Sequence, residues 1–382
     1  MSVRFQTPAS QSQKALIIDG AYGEGGGQVL RTALTLAALT GRPMRIEHVR
    51  AGRRKPGLRP QHLTAVRAAA TVCGARVEGD ELGSQTLTFY PNHPARPGKY
   101  IFDVTEATQG GSAGSVGLVL QTVLLPLAFA RADYGRAAGS HLMLRGGTHV
   151  PWAPSASYLE HVFLPQIARM GVNVQMILRH WGFYPAGGGE IACNIMRREE
   201  SLHPISITER GQLRRVWGMA VVMNLPAHIP QRMANRARNL LAEAGLQAQM
   251  EPRRLRGTGP GAGIFLFAAY MIPPGDDVTT VGFMAYGRKG LPAERVAEAA
   301  CEEFLAHHRS GAPVDPHLAD QLVLPAALAE GESQVSTSKV TQHLLTNVWV
   351  VREFLARDID IEGELGAPGT LIVRPCQGAE CD

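Results

Sequence analysis

The chain has 382 residues, 45% of them hydrophobic and 19% charged, with a formal net charge of +5. This length exceeds one ordinary hydrophobic core, so two domains, or one large domain carrying an insertion, are expected. The composition excludes a disordered or collagen-like chain, and no apolar run reaches the roughly 18 residues of a membrane span, so a folded cytoplasmic protein with no membrane partner is expected. The mild positive charge favours polyanions without identifying nucleic acid. The five cysteines, Cys73, Cys193, Cys301, Cys376 and Cys381, are scattered, odd in number and lack a CxxC pair. That pattern argues against both a disulfide scaffold and a zinc site.

The first unit is predicted to run as strand 15–19, helix 28–40, strand 44–48, helix 60–74 and strand 85–90. Its first strand feeds its first helix through Asp19-Gly20-Ala21-Tyr22-Gly23-Glu24-Gly25-Gly26-Gly27-Gln28. A glycine-dense turn between strand and helix lets backbone N–H groups reach a phosphate. The turn matches neither GxGxxG nor GxxxxGK[ST]. Along the helix, Val29, Leu30, Ala33, Leu34 and Ala37 form the expected buried stripe, with Gln28, Arg31, Thr32 and Thr35 opposite. An acid (Glu24), an amide (Gln28) and a guanidinium (Arg31) around an open backbone suit a nucleotide and its metal ion; an ordinary solvated face is the alternative. Arg50, Arg53, Arg54, Lys55 and Arg59 then lie within one short segment that ends in Pro60-Gln61-His62. Pro60 suits the first turn of a helix, which places Gln61 and His62 where anions are favoured. Arginines ahead of such a terminus can fork onto phosphate oxygens.

A second unit starts near Tyr100. It holds the glycine-rich turn 110–115, helix 116–132, strand 141–146, helix 155–170 and strand 172–178, and closes in Phe183-Tyr184-Pro185-Ala186-Gly187-Gly188-Gly189. The stretch 205–292 has another texture, with strands at 216–222, 263–270 and 279–286 and a helix over 229–245. It reads as a small inserted α+β domain, with 253–263 as a basic, flexible loop. The last unit is predicted as helix 293–308, helix 316–329, helix 343–355 and strand 370–374. In the second of these helices His317, Asp320 and Gln321 share one face at i, i+3 and i+4. In the third, His343 leads a run of apolar positions. A neutral imidazole can attack a phosphate and leave a labile phosphoramidate, while a satisfied boundary histidine is the plainer reading. Units of α and β elements in this order give layered sheets with helices packed on them.

The motifs together resemble those of the RNA 3'-terminal phosphate cyclase family. They are Asp19-Gly20 with Gly23 to Gln28, Arg50-Ala51-Gly52-Arg53 with Lys55-Pro56-Gly57-Leu58, and Gln61-His62-Leu63-Thr64-Ala65. Gly83-Ser84-Gln85, Gly111-Ser112-Ala113-Gly114-Ser115 and Leu120-Gln121-Thr122-Val123-Leu124 follow. The series ends with residues 182–189, Leu318-Ala319-Asp320-Gln321-Leu322 and His343-Leu344-Leu345-Thr346-Asn347. The resemblance implies an α+β fold of three repeated βαβαββ-like units, each similar to the C-terminal domain of a translation initiation factor. The catalytic domain would take residues 1–204 and 293–382, and the smaller inserted domain 205–292.

It also implies ATP, Mg²⁺ or Mn²⁺, and an RNA with a 3'-phosphate end as partners. His343 would take AMP from ATP, the AMP would pass to the RNA 3'-phosphate, and the ribose 2'-OH would close a 2',3'-cyclic phosphate. Glu24 would hold the metal. Gln28, Arg31, Arg50, Arg53, Gln61 and His62 would neutralise ATP or RNA phosphates, and Gln121 with His317, Leu318, Ala319, Asp320 and Gln321 would contact ATP. Position 317 is often tyrosine in the family, stacking on adenine; histidine is a smaller ring that still stacks, so a weaker or altered nucleotide preference is expected. Phe283, from the inserted segment, is the candidate for the other face of the base. Two alternatives follow: a non-catalytic relative acting as a ribosome-assembly scaffold, and a small-molecule transferase on a similar repeated fold, such as an enolpyruvyl transferase.

Overall fold

A computed structural model describes residues 14–107, 113–130, 139–198, 200–275 and 277–375. Residues 110–112 of the second glycine turn, the last two positions of the predicted helix 116–132, Cys376 and Cys381 lie outside the described residues.

The chain begins as β1 (Leu16–Asp19), α1 (Gly27–Thr40), β2 (Met44–Glu47), α2 (Pro60–Cys73), β3 (Arg76–Glu78) and β4 (Leu87–Tyr90). These strands make a sheet in the order β1-β2-β4-β3, with β1 parallel to β2 and the other pairs antiparallel. Next come β5 (Lys99–Asp103), a 3-10 turn (Val104–Ala107), α3 (Val116–Ala128) and β6 (Gly139–Gly146). The predicted helix 155–170 is three pieces: α4 (Ala156–Tyr158), a π-helical turn (Leu159–Phe163) and α5 (Leu164–Arg169). β7 (Val174–His180) and β8 (Gly189–Met196) complete a sheet ordered β5-β6-β8-β7, again with only its first pair parallel.

A short β9 (Ser206–Ile207) precedes β10 (Leu213–Met223), α6 (His228–Glu243), β11 (Ala248–Leu255), β12 (Gly261–Met271), β13 (Val278–Tyr286) and α7 (Ala293–Ser310). The chain ends with α8 (Pro316–Leu328), β14 (Ser333–Thr337), α9 (Gln342–Phe354), β15 (Arg357–Glu362) and β16 (Gly369–Pro375). Strand β9 pairs parallel with β14 across the whole intervening segment, giving the order β15-β16-β14-β9. The fourth sheet runs β11-β10-β12-β13 and has a different order. The result is a mixed α+β fold of several small sheets.

Local chemistry explains where the helices begin and end. Asp315 caps α8 by accepting from the His317 and Leu318 amides, with Pro316 in the first turn. Thr341 caps α9 by accepting from Leu344 N. Gly41 and Gly74 end α1 and α2 in the left-handed region, where glycine carries no Cβ penalty. The helices α1, α2, α3, α8 and α9 pack against one another in the interior. The sheets turn one face out, which leaves Ile17, Ile101, Ile177 and Met196 exposed.

Three readings change. The polar face of α1 is not solvated: Thr32 and Thr35 are buried, because α1 lies between α3 and α9 as well as beside α2. The helix expected to open the last unit, α7, packs instead on β12, β13 and α6, and its Val296, Ala297, Ala300 and Phe304 share a core with Ile264 and Leu266. The other side of that same sheet, through Val221, Met223, Phe265 and Phe267, joins the main core, so both faces are covered and its strands read as continuous apolar runs. Finally, Arg253 and Arg254 belong to β11 rather than to a loop. The turn after them rests on the 183–189 segment, since Cβ atoms at Gly188 and Gly259 would meet Thr258 Oγ1 and Ala186 Cβ at 2.0 and 2.5 Å. Cys73, Cys193 and Cys301 are free, buried thiols pushed up to about 12 by burial.

Candidate active site

The glycine turn after β1 and the first turn of α9 face each other. The Tyr22 and Trp349 rings stack with centroids 4.0 Å apart, and a Cβ on Gly23 (φ +63°) would lie 2.5 Å from Thr346 Oγ1. This approach sets His343 Nε2 3.7 Å from Glu24 Oε2, while Arg53 Nη2 donates to the same oxygen at 2.9 Å. His343 Nδ1 is buried without a hydrogen-bond partner among the described residues, yet the side chain is 43% exposed. Nε2 is therefore the nitrogen open to a ligand. Burial lowers the His343 pKa, Glu24 opposes this, and Arg31, His317 and Arg53 add to the lowering. The ring is held as the neutral imidazole, the form that carries a free lone pair.

Behind His343 runs a polar network that joins three helices. Gln28 Nε2 and Thr32 Oγ1 both donate to Asn347 Oδ1 at 2.8 Å, and Asn347 Nδ2 donates to the Asp320 carbonyl at 2.8 Å. Arg31 Nη2 donates to Gln28 Oε1 at 2.9 Å. The Arg31 guanidinium is enclosed by protein but keeps part of its surface open to the cavity. Burial pulls its pKa to about 10, so it remains a cation at neutral pH, and no carboxylate pairs with it among the described residues. An enclosed cation without a counter-charge is a costly arrangement that an anionic ligand relieves.

At the start of α8, Gln121 Nε2 donates to Gln321 Oε1 at 2.6 Å and Gln321 Nε2 donates to the His317 carbonyl at 2.9 Å. Asp320 is buried and accepts from Thr341 Oγ1; burial holds its carboxyl well above the usual range. Tyr158 Oη donates to the capping Asp315 at 2.8 Å and its ring meets His317 edge-on at 6.4 Å. Gln121, Tyr158, His317, Asp320 and Gln321 line one cavity of about 640 Å³.

Of the residues singled out from the sequence, Gln28, Arg31, Gln121, Phe283, His317, Asp320, Gln321 and His343 line that cavity. Glu24 and Arg53 stand beside it through their contacts with His343 and each other. The others are placed differently. Leu318 and Ala319 are fully buried in the core, so neither turns a side chain to the cavity. Arg50 spends its guanidinium on the Lys55 and Gly57 carbonyls at 2.8 and 2.9 Å, bracing its own loop. Gln61 Oε1 accepts from Ser115 N at 3.1 Å, tying α2 to the start of α3.

His62 is buried. Its Nδ1 accepts from Arg59 N at 3.1 Å, which leaves the proton on Nε2, and burial with Arg31, Arg50 and Arg59 drives its pKa well below the ordinary value. A Cβ on Gly27 would lie 2.4 Å from that Nε2 and 2.7 Å from Arg31 Nη1, so a glycine is what lets both groups reach the head of α1. The cavity also holds Trp152, Tyr158, Tyr286 and Glu303, which the sequence did not single out. Asn347 was visible only as a member of the His343 motif, although its i+4 spacing from His343 puts the two on one face.

Comparisons with known proteins agree along most of the chain. A family model for RNA 3'-terminal phosphate cyclase matches residues 22–361. A protein of that name from Trichormus variabilis is 55% identical over 337 residues, covering 88% of this chain and 93% of its own. One from Methylococcus capsulatus is 54% identical over 359 residues, covering 94% and 96%. One from the archaeon Thermococcus onnurineus is 40% identical over 359 residues, covering 94% and 98%. No helix among the described residues is long and apolar enough to cross a membrane.

Proposed function

The chain belongs to the RNA 3'-terminal phosphate cyclase family, and we propose that it converts an RNA 3'-phosphate to a 2',3'-cyclic phosphate at the expense of ATP through a covalent histidyl-AMP. The observation that carries this reading is one cavity holding both an imidazole with an accessible Nε2, His343, and an enclosed cation with no protein counter-charge, Arg31.

The chemistry runs in three displacements. The His343 Nε2 lone pair attacks the α-phosphorus of ATP, and pyrophosphate leaves with the bridging electrons. An oxygen of the RNA 3'-phosphate attacks the same phosphorus, the P–N bond breaks and the imidazole is restored. The 2'-oxygen then attacks the RNA phosphorus, its proton goes to solvent, and AMP leaves. Each displacement develops charge on phosphoryl oxygens, so neutralisation matters more than proton transfer. Arg31 and Gln28 lie nearest that task, with Arg53 beside Glu24. His62 acts through its Nε2–H beside Arg31; Arg50 and Gln61 act by holding the loop and helix that carry the others. Gln121, His317, Asp320, Gln321 and Phe283 form the nucleoside end, with Leu318 and Ala319 fixing the backbone there.

Glu24 fits a divalent cation of the Mg²⁺ kind. It is a partly exposed carboxylate with no cluster of three acidic, histidine or cysteine ligands around it among the described residues. Such ions keep several waters and bind through one or two carboxylates plus substrate phosphates. When bound, the ion would neutralise charge on the ATP phosphates.

The three βαβαββ-like units belong to the same reading. They are supported by the common strand order of the β1–β4, β5–β8 and β9/β14–β16 sheets, each with its first pair parallel. The smaller inserted unit is then best taken from β10 through α7, because α7 shares its core. The scaffold alternative is not favoured, since His343 and its cavity are both present.

Incubation with ATP labelled at the α-phosphate should label the protein, and His343→Ala should abolish the label. A 3'-phosphorylated oligonucleotide should then lose the mass of one water. Label that persists in His343→Ala, or an unchanged oligonucleotide with active protein, would overturn the reading.

A further inference from the structure

Trp152 stands apart from every other aromatic side chain of the cavity. It lines the same space as Arg31, His317 and His343, yet it is 94% exposed. Its backbone φ is +60°, in the left-handed region that a bulky residue rarely adopts. An uncovered indole and a disfavoured backbone are two costs, and among the described residues no hydrogen bond or ring stack of the indole offsets them. Strain of this kind gathers at ligand clamps. The loop that bears Trp152 is also firmly held. Pro151 and Pro154 flank it, the Thr148 carbonyl accepts from Ala156 N at 2.8 Å, and Ser155 caps the helix that follows. The indole thus stands in solvent at the rim of the cavity on a braced backbone.

We propose that Trp152 is the stacking platform for a nucleobase at the 3' end of the RNA substrate; this rests on the cyclase reading given above. Its exposure sets it apart from the buried end of the cavity where the base of ATP would lie. A nucleotide held on His343 would lie inward, beside His317 and a buried wall that includes Tyr158 and Phe283. The polymer that collects the AMP must arrive from solvent and pass the rim. Arg31 and Gln28 at the inner end take phosphate, so a terminal nucleotide that leads with its 3'-phosphate brings a base near the rim. An aromatic face accepts any base, so this contact adds affinity without sequence preference.

Trp152→Ala should raise KM for a 3'-phosphorylated oligonucleotide about tenfold, the worth of one stacked base, with kcat held. Trp152→Phe should recover most of that loss. KM for ATP in the labelling of His343 should not move. In the absence of ATP, the oligonucleotide should quench the emission of the wild-type protein, whose other tryptophans are partly buried, and should quench Trp152→Phe far less. An unchanged KM for RNA, or a rise in KM for ATP in its place, overturns the proposal; the second result would assign the indole to adenine. Should the wild-type protein neither label nor cyclise, the cyclase reading fails. The quenching comparison then still decides whether Trp152 meets RNA.

Discussion

Asn347 shows how much one side chain of the site carries. Its carbonyl oxygen accepts from Gln28 and Thr32, and its amide donates to the Asp320 backbone, so one residue ties α1, α8 and α9 together. Asn347→Ala removes three hydrogen bonds and leaves the Thr32 hydroxyl without its acceptor in a buried place, while Gln28 keeps its bond to Thr32. An orphaned buried group costs about 1–3 kcal/mol, so a urea midpoint should fall by about one such increment. Asn347→Asp should be no better. It keeps the acceptor, loses the donor, and adds negative charge beside Asp320, whose own carboxyl is already held up by burial. Labelling of His343 should slow in both variants, because Gln28 and the Arg31 it holds lose their anchor. The sequence exposed His343, Gln28 and Arg31 because their residue types advertise phosphate chemistry. It could not expose the tie between them, since Gln28 and Asn347 are 319 residues apart. Trp152 carried no signal at all: a tryptophan between two prolines reads the same whether it is buried or standing in water.

At the scale of elements, the site depends on how closely the glycine turn approaches α9. Gly23 has no room for a side chain and sits at φ +63°, and the Tyr22–Trp349 stack holds the turn down beside it. Gly23→Ala therefore meets both a backbone penalty and a clash with Thr346, and should destabilise the protein by about 1–3 kcal/mol. Trp349→Ala is the gentler probe. It removes the stack and leaves the turn's backbone unchanged, so stability should drop modestly while the rate of His343 labelling falls, as Glu24 and Arg53 lose their register against the imidazole. A labelling rate unchanged by Trp349→Ala would mean the turn is positioned by its own hydrogen bonds. Two strands were hidden by their charge. Charge masked a strand in β11, where Arg253 and Arg254 looked like a loop, and in β15, where only Ile359 is fully buried and Asp358 and Asp360 pair with Arg374 across the sheet. The solvated face that was the alternative for α1 fails because residue type reports polarity, whereas burial depends on the neighbours on every side.

Across the whole molecule, the buried histidines set a limit on the acid side. His149 is enclosed between Thr148 and Ser157, with Trp181 stacked at 3.8 Å, and burial lowers its pKa to about 3. His307, bonded to Ser338 Oγ at 2.9 Å, is lowered to about 4 by burial with help from Arg210 and His308, and its Nε2 has no partner among the described residues. His62 is lowered as well. For such groups the stability is fully present above the unfolded value near 6.5. As the pH falls, the unfolded chain takes up protons that the folded protein refuses, at about 1.4 kcal/mol per pH unit for each histidine. The loss from His307 stops near pH 4 and that from His149 near pH 3. Asp315 and Asp320 act in the opposite sense: burial raises their folded pKa, so the folded state binds their protons first and gains stability as the pH falls toward the unfolded carboxylate value. The two contributions separate by difference. His307→Asn can keep the bond to Ser338 and cannot titrate, so its urea midpoint should fall less steeply than the wild type's between about pH 6.5 and 4, and the two slopes should agree above that window. Parallel curves through the window would mean that His307 already opens to water before the protein unfolds.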